Sequence, residues 1–202
     1  MDHPDIEVVE KKTAYKGFLQ VDVYSLRHKK FDGTWTDVMT REICDRGHAV
    51  GVLLYDPDRD KVALIEQFRF GAAATGHPAR LTEIVAGMID EGETAEAVAR
   101  RESLEEAGCT VQEMEKICDY FPSPGAFTEY VTLFCGRIDS TGVGGTGGLV
   151  EEHEDIRVTV IPVEEAIRLL DENRLNNSFT IIALGWLARH HAALRDRWLN
   201  GR

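Results

Sequence analysis

The chain has 202 residues, of which 43% are hydrophobic and 29% are charged, an ordinary composition for a globular protein with one buried core. Its formal net charge of −12 would repel a nucleic acid backbone, so nucleic acid is excluded as an expected partner. No apolar run is long enough to span a bilayer, and residues 1–5 lack the chemistry of a signal peptide, so we expect no membrane partner and a cytoplasmic location. The four cysteines lack Cys-x-x-Cys spacing, which indicates free thiols in a reducing compartment.

The first third of the chain is rich in β-branched and aromatic residues, which favours strands. Strands are predicted at Tyr15–Arg27 and Trp35–Glu42, joined across a turn signal at Phe31–Gly33. A second pair is predicted at His48–Tyr55 and Lys61–Phe68. The acidic segment inside the second pair lacks the glycine and the bidentate glutamate of a calcium loop, so we predict a hairpin turn there.

Residues 94–107 form the clearest predicted helix, with Thr94 as a candidate N-cap and Gly108 where a helix should stop. Hydrophobic spacing predicts further strands near Leu81–Val85, Glu115–Phe121, Tyr130–Arg137 and Ile156–Ile161. The same spacing predicts helices at Val163–Asn173 and Ser178–Trp198. Strands of mixed order with helices around them predict an α+β fold. In this fold a mixed sheet lies between helices as an α/β/α sandwich, with an N-terminal antiparallel strand element, rather than as a doubly wound parallel sheet.

Three glutamates share one face of the predicted helix, because Glu102, Glu105 and Glu106 fall within an arc of roughly 100°. Arg101 is predicted to lie outside that arc, and Leu104 is predicted to face the core on the far side. Carboxylates at this spacing repel one another unless hard divalent cations lie between them, and Mg²⁺ prefers such oxygen ligands. A solvated acidic surface is the alternative interpretation of the helix taken alone.

The residues around this helix resemble the Nudix signature without a gap. The matching positions are Gly87, Glu93, Arg101, Glu102, Glu105, Glu106 and Gly108. The glycines of the signature are structural, because glycine reaches backbone conformations that other residues resist. One position departs from the pattern, since Ser103 stands where an aliphatic residue is usual, which concerns local packing rather than chemistry. A match at this many fixed positions is highly specific, and the chain is identified as a member of the Nudix hydrolase family.

Roles follow for the other signature residues. Glu102 and Glu106 lie one helical turn apart and are the expected metal ligands, and the resemblance adds the carbonyl of Ala86. The expected cofactor is Mg²⁺, with Mn²⁺ as a substitute. Arg101 is placed to pair with Glu93 and so to hold the preceding loop on the helix, which is a structural role.

A second acidic cluster, residues 151–155, follows the glycine-rich segment 141–148. The cluster resembles the mobile catalytic loop of the family, which implies Glu152 as the general base and Glu154 as a further metal ligand. Glu105 is added to the catalytic group. The glycines are predicted to be a flexible lead-in for this loop, because no helix follows them as a dinucleotide-binding fingerprint requires. A disordered acidic surface loop is the alternative interpretation.

The resemblance extends from about Tyr15 to Trp198 and is closest to the bacterial ADP-ribose pyrophosphatases of this family. Pro124 stands fifteen residues beyond Cys109, the last signature position, and a proline there is typical of that group. The resemblance implies Mg²⁺-dependent hydrolysis of the diphosphate of ADP-ribose to AMP and ribose 5-phosphate, so the expected partner is a nucleoside diphosphate sugar. The cation would also overcome the repulsion between an acidic protein and a phosphorylated substrate.

The resemblance also implies substrate contacts. Arg41 and Arg69 match positions that contact phosphate and nucleotide. Glu129 matches a position that reads a ribose, and Met88 is assigned to substrate binding with them. For the charged residues, an ordinary surface ion pair is the alternative interpretation.

Residues 1–45 resemble an arm that these enzymes exchange across a two-fold axis, so we expect an N-terminal arm that forms a homodimer and a Nudix domain over residues 46–202. Two other functions are possible on the sequence. A different nucleotide-sugar pyrophosphatase, such as one for GDP-mannose, would share the signature, although Pro124 argues against it. A non-catalytic ADP-ribose sensor would lose signature glutamates and add a basic DNA-binding domain, whereas every signature glutamate is present here.

Overall fold

The structure is a computed structural model that describes residues 3–149, 151 and 153–201. The strands in this described part are β1 (Ile6–Lys16), β2 (Gln20–His28), β3 (Met39–Asp45), β4 (His48–Asp56), β5 (Lys61–Phe68), β6 (Arg80–Glu83), β7 (Val85–Ile89), β8 (Met114–Tyr120), β9 (Val131–Arg137), β10 (Gly145–Gly147) and β11 (Ile156–Pro162). The helices are α1 (Phe70–Ala74), α2 (Ala95–Ala107), α3 (Val163–Asp171) and α4 (Ser178–Asn200). None of the described helices combines the length and the apolar character that a membrane span requires.

The chain divides into two compact units. The first contains the chain up to His48 together with Phe121–Tyr130, and the second contains Ala49–Tyr120 together with the chain from Val131 onward.

The first unit is built on an antiparallel sheet with the strand order β1-β2-β3, which confirms the predicted N-terminal strand element. The prediction of one strand at Tyr15–Arg27 was wrong at its start, because the chain turns at Gly17, whose N–H donates to the carbonyl of Leu19 at 2.9 Å. Strand β1 precedes that turn and was missed because nearly all its residues are exposed, so it carries no apolar alternation. The segment Phe121–Tyr130 lies against β3, where Cys44 N–H donates to the carbonyl of Ala126 at 2.7 Å.

The second unit is built on a mixed sheet with the order β10-β11-β5-β4-β9-β8, with β6 paired to β5 and β7 paired to β4. Strand β4 runs parallel to β9 and antiparallel to β5. Helices cover both faces of the sheet, so β4 is buried from Ala49 to Asp56, and its sequence carries no charge between Ala49 and Tyr55. The prediction of an α/β/α sandwich with a mixed sheet is confirmed.

Two apolar clusters fill the space between the sheet and its helices. The cluster on the α3 and α4 face includes Leu53, Tyr55, Leu64, Leu133, Ala166, Leu184, Leu187 and Leu194. The cluster on the α2 face includes Val52, Leu54, Ile65, Val98, Ala99, Ala107 and Ile156. Successive residues of β4 point to opposite clusters, which is the alternation expected of a strand covered on both faces.

Helix α2 begins and ends where the sequence predicts. The hydroxyl of Thr94 accepts a hydrogen bond from Ala97 N–H at 3.2 Å, and Gly108 adopts a left-handed conformation with φ +63°. The prediction that Leu104 faces the core was wrong, because its side chain is 59% exposed and smaller residues pack against the sheet instead. Ser103 is one of them. It is fully buried, and its hydroxyl donates to the carbonyl of Ala99 at 2.5 Å, so the unusual serine is satisfied within the helix.

Candidate active site

Helix α2 holds its glutamates at different depths. Glu106 is only 2% exposed, whereas the side chains of Glu102 and Glu105 are 15% and 26% exposed. Glu106 Oε2 accepts a hydrogen bond from Ala86 N–H at 3.1 Å, which joins the last turn of α2 to β7. The carboxylates are therefore withdrawn from water rather than spread over a solvated surface.

Burial perturbs two of these carboxyl groups. The pKa of Glu106 is raised to about 8, mainly because burial opposes its charge; the Ala86 N–H lowers the pKa, and the nearby charges of Glu102 and Glu154 add to the rise. Burial likewise raises the pKa of Glu102 to about 7; Arg101 opposes the rise, while Glu105 and Glu154 add to it. Both groups resist carrying an unpaired negative charge, and a cation placed between them would remove that cost.

Strand β7 approaches α2 at Gly87. A Cβ atom at this position would overlap the carboxyl group of Glu102, so any other residue would displace that side chain. The signature glycine therefore serves a close approach between the strand backbone and a carboxylate. Its spacing to Glu102 in the sequence reflects this contact in the fold.

Arg101 lies among the carboxylates. One terminal nitrogen, Nη1, donates to Glu102 Oε1 at 2.9 Å and to Glu105 Oε2 at 3.0 Å. Arg101 lies outside the carboxylate arc by its position on the helix, as predicted, but its long side chain reaches two of the carboxylates. Its Nη2 lies 3.7 Å from Glu93 Oε2, so the same guanidinium also reaches the preceding loop.

The loop before α2 is closed by its own hydrogen bonds. Asp90 N–H donates to Glu93 Oε2, and Glu93 N–H donates to the carbonyl of Asp90, both at 3.1 Å. The turn passes through Gly92, whose φ of +88° favours glycine. Strand β7 continues to Ile89, beyond the end of the predicted strand at Val85.

The glycine-rich segment packs against the end of α2. Gly145–Gly147 form β10 and pair with β11, and Gly148 N–H donates to the backbone carbonyl of Glu105 at 3.0 Å. A Cβ atom at Gly147 would overlap the carbonyl oxygen of Glu106. The prediction of a flexible lead-in was therefore wrong for residues 145–148, where the glycines allow two backbones to touch.

Glu154 is held beside the same segment. A Cβ atom at Gly148 would lie 2.7 Å from Cβ of Glu154, so the glutamate occupies the space that a side chain would need. Glu154 Oε2 accepts a hydrogen bond from Leu149 N–H at 3.0 Å, and Glu154 N–H donates to the Leu149 carbonyl at 3.2 Å. Glu152, the predicted general base, lies outside the described residues.

The candidate ligands fit a hard divalent cation by their chemistry. Within the described part of the chain, no three carboxylate, imidazole or thiol side chains already form a metal-binding group. The candidate oxygens are engaged elsewhere: Glu102 with Arg101, Glu106 with Ala86 and Glu154 with Leu149. A set made only of carboxylates, two of them with raised pKa values, nevertheless has the oxygen donors and the excess negative charge that Mg²⁺ or Mn²⁺ requires.

Arg69 brings a positive charge to this part of the second unit. Its Nε and Nη2 donate to the carboxylate of Glu83 at 2.8–3.2 Å, and Glu83 is buried whereas the arginine side chain is 43% exposed. Burial alone would lower the pKa of Arg69, but Glu83, and more weakly Glu106 and Glu154, raise it. An ordinary surface ion pair does not describe this contact, because one partner is withdrawn from water.

The remaining predicted contact residues differ in environment. Met88 is partly buried and packs against the core cluster on the α3 and α4 face. Arg41 lies on β3 of the first unit, is exposed, and donates through Nη1 to the carbonyl of Thr40 at 2.9 Å.

Glu129 and Pro124 also belong to the first unit. Glu129 is 8% exposed, and its Oε1 lies 3.5 Å from Nε of Arg46. Pro124 is exposed in a turn that is closed by a hydrogen bond of 3.2 Å from Ala126 N–H to the carbonyl of Ser123.

Two residues that lie beside Arg69 were not predicted from the sequence. Glu83 ends β6, and Asn177 caps α4 while its side-chain amide donates to Glu83 Oε1 at 3.0 Å. A glutamate inside the predicted strand Leu81–Val85 was the available signal, because a charge next to buried residues requires a partner.

Comparisons with known proteins agree with this geometry. The model of the NUDIX domain matches residues 45–182. The ADP-ribose pyrophosphatase of Escherichia coli is 43% identical over 194 residues, which cover 96% of this chain and 93% of that protein. The GDP-mannose pyrophosphatase of Cronobacter sakazakii is 32% identical over 185 residues, covering 89% of this chain and 93% of that protein.

A solved structure described as an ADP compounds hydrolase shares the fold, with a TM-score of 0.68 at 18% identity over 94% of this chain and 98% of that one. The family match spans more than half of the chain and includes β7, the loop after it and α2, where the signature residues converge. This chain belongs to the NUDIX family.

Proposed function

We propose that this protein is a pyrophosphohydrolase that cleaves the diphosphate of ADP-ribose, with Mg²⁺ or Mn²⁺ as cofactor. A water oxygen bonds to one phosphorus, the bridging P–O bond breaks, and the products are AMP and ribose 5-phosphate. The observation that carries the proposal is a pair of desolvated carboxylates, Glu102 and Glu106, whose pKa values are raised because burial and neighbouring carboxylates oppose their negative charge. The similarity to a relative named ADP-ribose pyrophosphatase supports the choice of substrate.

Glu102, Glu106 and Glu154 would hold the cation, together with the carbonyl of Ala86. When bound, the cation neutralises the diphosphate and lowers the pKa of a water molecule. The fit rests on the donor set, since these carboxylates lie near enough for Glu154 to raise the pKa of both glutamates of α2.

Side chains of the protein bind the diphosphate and accept the proton of the attacking water. Arg69 offers a guanidinium to a diphosphate oxygen, since an arginine pairs two donors with such anions. Glu152 takes the proton of the attacking water as general base. Glu105 belongs to the catalytic group through Arg101, which it shares with Glu102.

Further substrate contacts are proposed at Arg41, Met88 and Glu129. The support for Glu129 is its burial beside Arg46, because a carboxylate held in this way can present a fixed acceptor to a ribose hydroxyl. Free cysteines in the described part of the chain fit a reducing compartment, and we place the protein in the cytoplasm.

We also propose that residues 1–45 act as an arm that forms a homodimer and that residues 46–202 form the Nudix domain. Strand β1 is the edge of its sheet and is largely exposed, and apolar side chains stand on or beside it, with Val9 57%, Tyr15 60% and Phe18 91% exposed. An unpaired strand edge can pair with another chain, and apolar side chains grouped on a surface often mark an interface. A second copy of the chain would supply that cover.

A second candidate substrate is GDP-mannose, which the 32% identical relative is named for. Purified protein should therefore be incubated with ADP-ribose, GDP-mannose and other nucleotide sugars, with Mg²⁺, with Mn²⁺ and with a chelator, and the nucleotides separated by chromatography. We expect AMP and ribose 5-phosphate in equal amounts, formed only when a divalent cation is present. Absence of AMP from folded protein would overturn the proposal, and a higher kcat/KM on GDP-mannose would replace the substrate.

A further inference from the structure

We propose that Glu83 is a positioning residue that fixes the guanidinium of Arg69 for the substrate diphosphate, and that Asn177 fixes Glu83 in turn. The proposal deepens the function proposed above and rests on it. It assigns a role to a carboxylate outside the Nudix signature and to the N-cap of a distant helix.

Glu83 collects donors from several parts of the second unit. Its carboxylate accepts hydrogen bonds from Gln67 Nε2 on β5 at 3.4 Å, from Asn177 Nδ2 at 3.0 Å and from two nitrogens of Arg69. A carboxylate that is 2% exposed is costly unless donors surround it in this way. Replacing a buried ion pair by apolar side chains of similar volume often costs little stability. The presence of a charged pair here therefore points to a role for Arg69.

The geometry of Arg69 shows what that role is. Glu83 occupies the edge formed by Nε and Nη2, and the guanidinium keeps another edge, with Nη1, for a ligand. The charges of Glu106 and Glu154 act on this guanidinium, so it lies in the neighbourhood of the candidate metal ligands. A positive group with one edge fixed and another edge available suits an anionic oxygen.

The backbone of Arg69 is fixed as well. Its N–H donates to the carbonyl of Ala79 at 2.6 Å, and its carbonyl accepts from Ala72 N–H at 3.1 Å at the start of α1. The main chain and the guanidinium are thus both held before substrate arrives. An arginine that is already ordered loses less conformational entropy on binding than a mobile one.

Asn177 connects this arrangement to α4. Its Oδ1 accepts from Phe179 N–H at 2.9 Å and from Thr180 N–H at 3.3 Å, so the amide nitrogen must face Glu83. Serine at position 177 would keep the cap but lose the donor to Glu83, because a serine hydroxyl also accepts from the first turn of a helix. The capping role and the positioning role can therefore be separated.

The test compares the wild type with Glu83→Gln, Asn177→Ser and Thr180→Val. Thr180→Val is the matched control, because Thr180 Oγ1 accepts from Ile84 N–H and its loss weakens the same region without touching Glu83. We measure kcat and KM for ADP-ribose with Mg²⁺, together with Tm. We expect KM to rise about tenfold in Glu83→Gln and severalfold in Asn177→Ser, with a smaller change in kcat, whereas Thr180→Val lowers Tm and leaves KM unchanged.

Two results would overturn the proposal. The first is an unchanged KM in Asn177→Ser, which keeps the helix cap and so avoids a failure to fold. The second is a rise of KM in Thr180→Val equal to that in Asn177→Ser, which would mean that Asn177 and Glu83 contribute only to local stability. In an Arg69→Met background, Glu83→Gln should raise KM no further, and an additive rise would also contradict the proposal.

A measurement that does not depend on catalytic turnover distinguishes a failure of this proposal from a failure of the proposed function. The exchange of the Arg69 Nε proton, followed by NMR, should be slow in the wild type and fast in Glu83→Gln. If the wild type releases no AMP, the proposed function fails. The positioning role is then tested by titration with inorganic pyrophosphate, followed at the same Arg69 resonance. A midpoint at least about tenfold higher in Glu83→Gln supports positioning, and equal midpoints overturn it.

Discussion

The backbone of Gly147 lies against the carbonyl of Glu106, and a Cβ atom on the glycine would stand 2.8 Å from the carbonyl carbon and overlap the oxygen. Because the obstructing atoms belong to a helix backbone, neither side can move cheaply. Gly147→Ala should therefore destabilise the protein by roughly 1–3 kcal/mol, as overpacking does. Thermal unfolding checks this, with an expected drop of about 2–4 °C per kcal/mol for a chain of this size.

Gly185→Ala is the control for that substitution. Its Cβ would meet only Arg189 Nη1, at 3.7 Å, within helix α4. Alanine is favoured over glycine inside a helix, so Tm should be unchanged or slightly higher. A loss of stability equal to that of Gly147→Ala would show that packing at Gly147 is not the cause.

Gly87→Ala should change metal binding more than stability, the reverse of what we expect for Gly147→Ala. Its Cβ would overlap the carboxyl group of Glu102, which is the end of a flexible side chain and can rotate away. We expect a small change in Tm but a fall of about tenfold or more in Mn²⁺ affinity, measured by calorimetry. Unchanged Mn²⁺ binding would mean that Glu102 does not hold the cation from its present position.

Glu106→Gln should strongly reduce activity without weakening the metal-free protein. The pKa of Glu106 is raised from 4.5 to about 8, so its contribution to stability is complete below pH 4.5 and is lost as the pH rises through 8. In chelator, the wild type should lose stability as the pH rises from 4.5 to about 8, and Glu106→Gln should lose less. With Mg²⁺, kcat should fall roughly a hundredfold or more.

Glu96→Gln provides the comparison for Glu106→Gln. Glu96 lies in the first turn of α2, is exposed and pairs with Arg100 at 2.8 Å. An exposed pair of this kind contributes little, so activity and its pH dependence should match the wild type. Equal losses in both variants would mean that the effect arises from helix charge and not from the buried carboxylate.

Glu152→Gln should reduce kcat at least about a hundredfold while leaving the fold intact, because glutamine cannot take the proton of the attacking water. Steady-state kinetics on ADP-ribose and a thermal unfolding curve measure the two effects. Glu151→Gln, one residue earlier on the chain and exposed, is the control and should retain activity. A normal rate in Glu152→Gln would move the general base to another residue.

Asp56 should control stability at acid pH. It is fully buried at the end of β4; burial alone would raise its pKa, but hydrogen bonds from Ser140 and Arg59 outweigh burial and lower it from 3.8 to about 2. The stability that it adds is present above pH 3.8 and is lost as the pH falls towards 2. Asp56→Asn should cost roughly 1–3 kcal/mol at pH 7. Asp58→Asn, at an exposed position of the same turn, should cost little.

The central part of the fold could be predicted because its signals are local. The continuous apolar run of β4 and the N-cap and terminal glycine of α2 each identify an element without reference to the rest of the chain. The signature fixed the relation between Gly87 and the carboxylates for the same reason, since its residues lie within one short stretch.

The features that were missed depend on contacts between distant segments. Strand β1 is exposed and polar, so only its pairing with β2 reveals it. Glycines 145–148 suggest flexibility until α2 is placed beside them. The contact of Asn177 with Glu83 joins residues 94 positions apart, which no local pattern can indicate.

Arg101 changes how a metal ion would compete for this site. Because its guanidinium donates to both Glu102 and Glu105, it reduces the repulsion between these two carboxylates when no ion is bound. An incoming cation must first displace these hydrogen bonds, so its affinity is reduced by their free energy, about 1 kcal/mol each or less for exposed groups. We therefore expect α2 to stay folded when no ion is bound, because Arg101 still holds two of its glutamates.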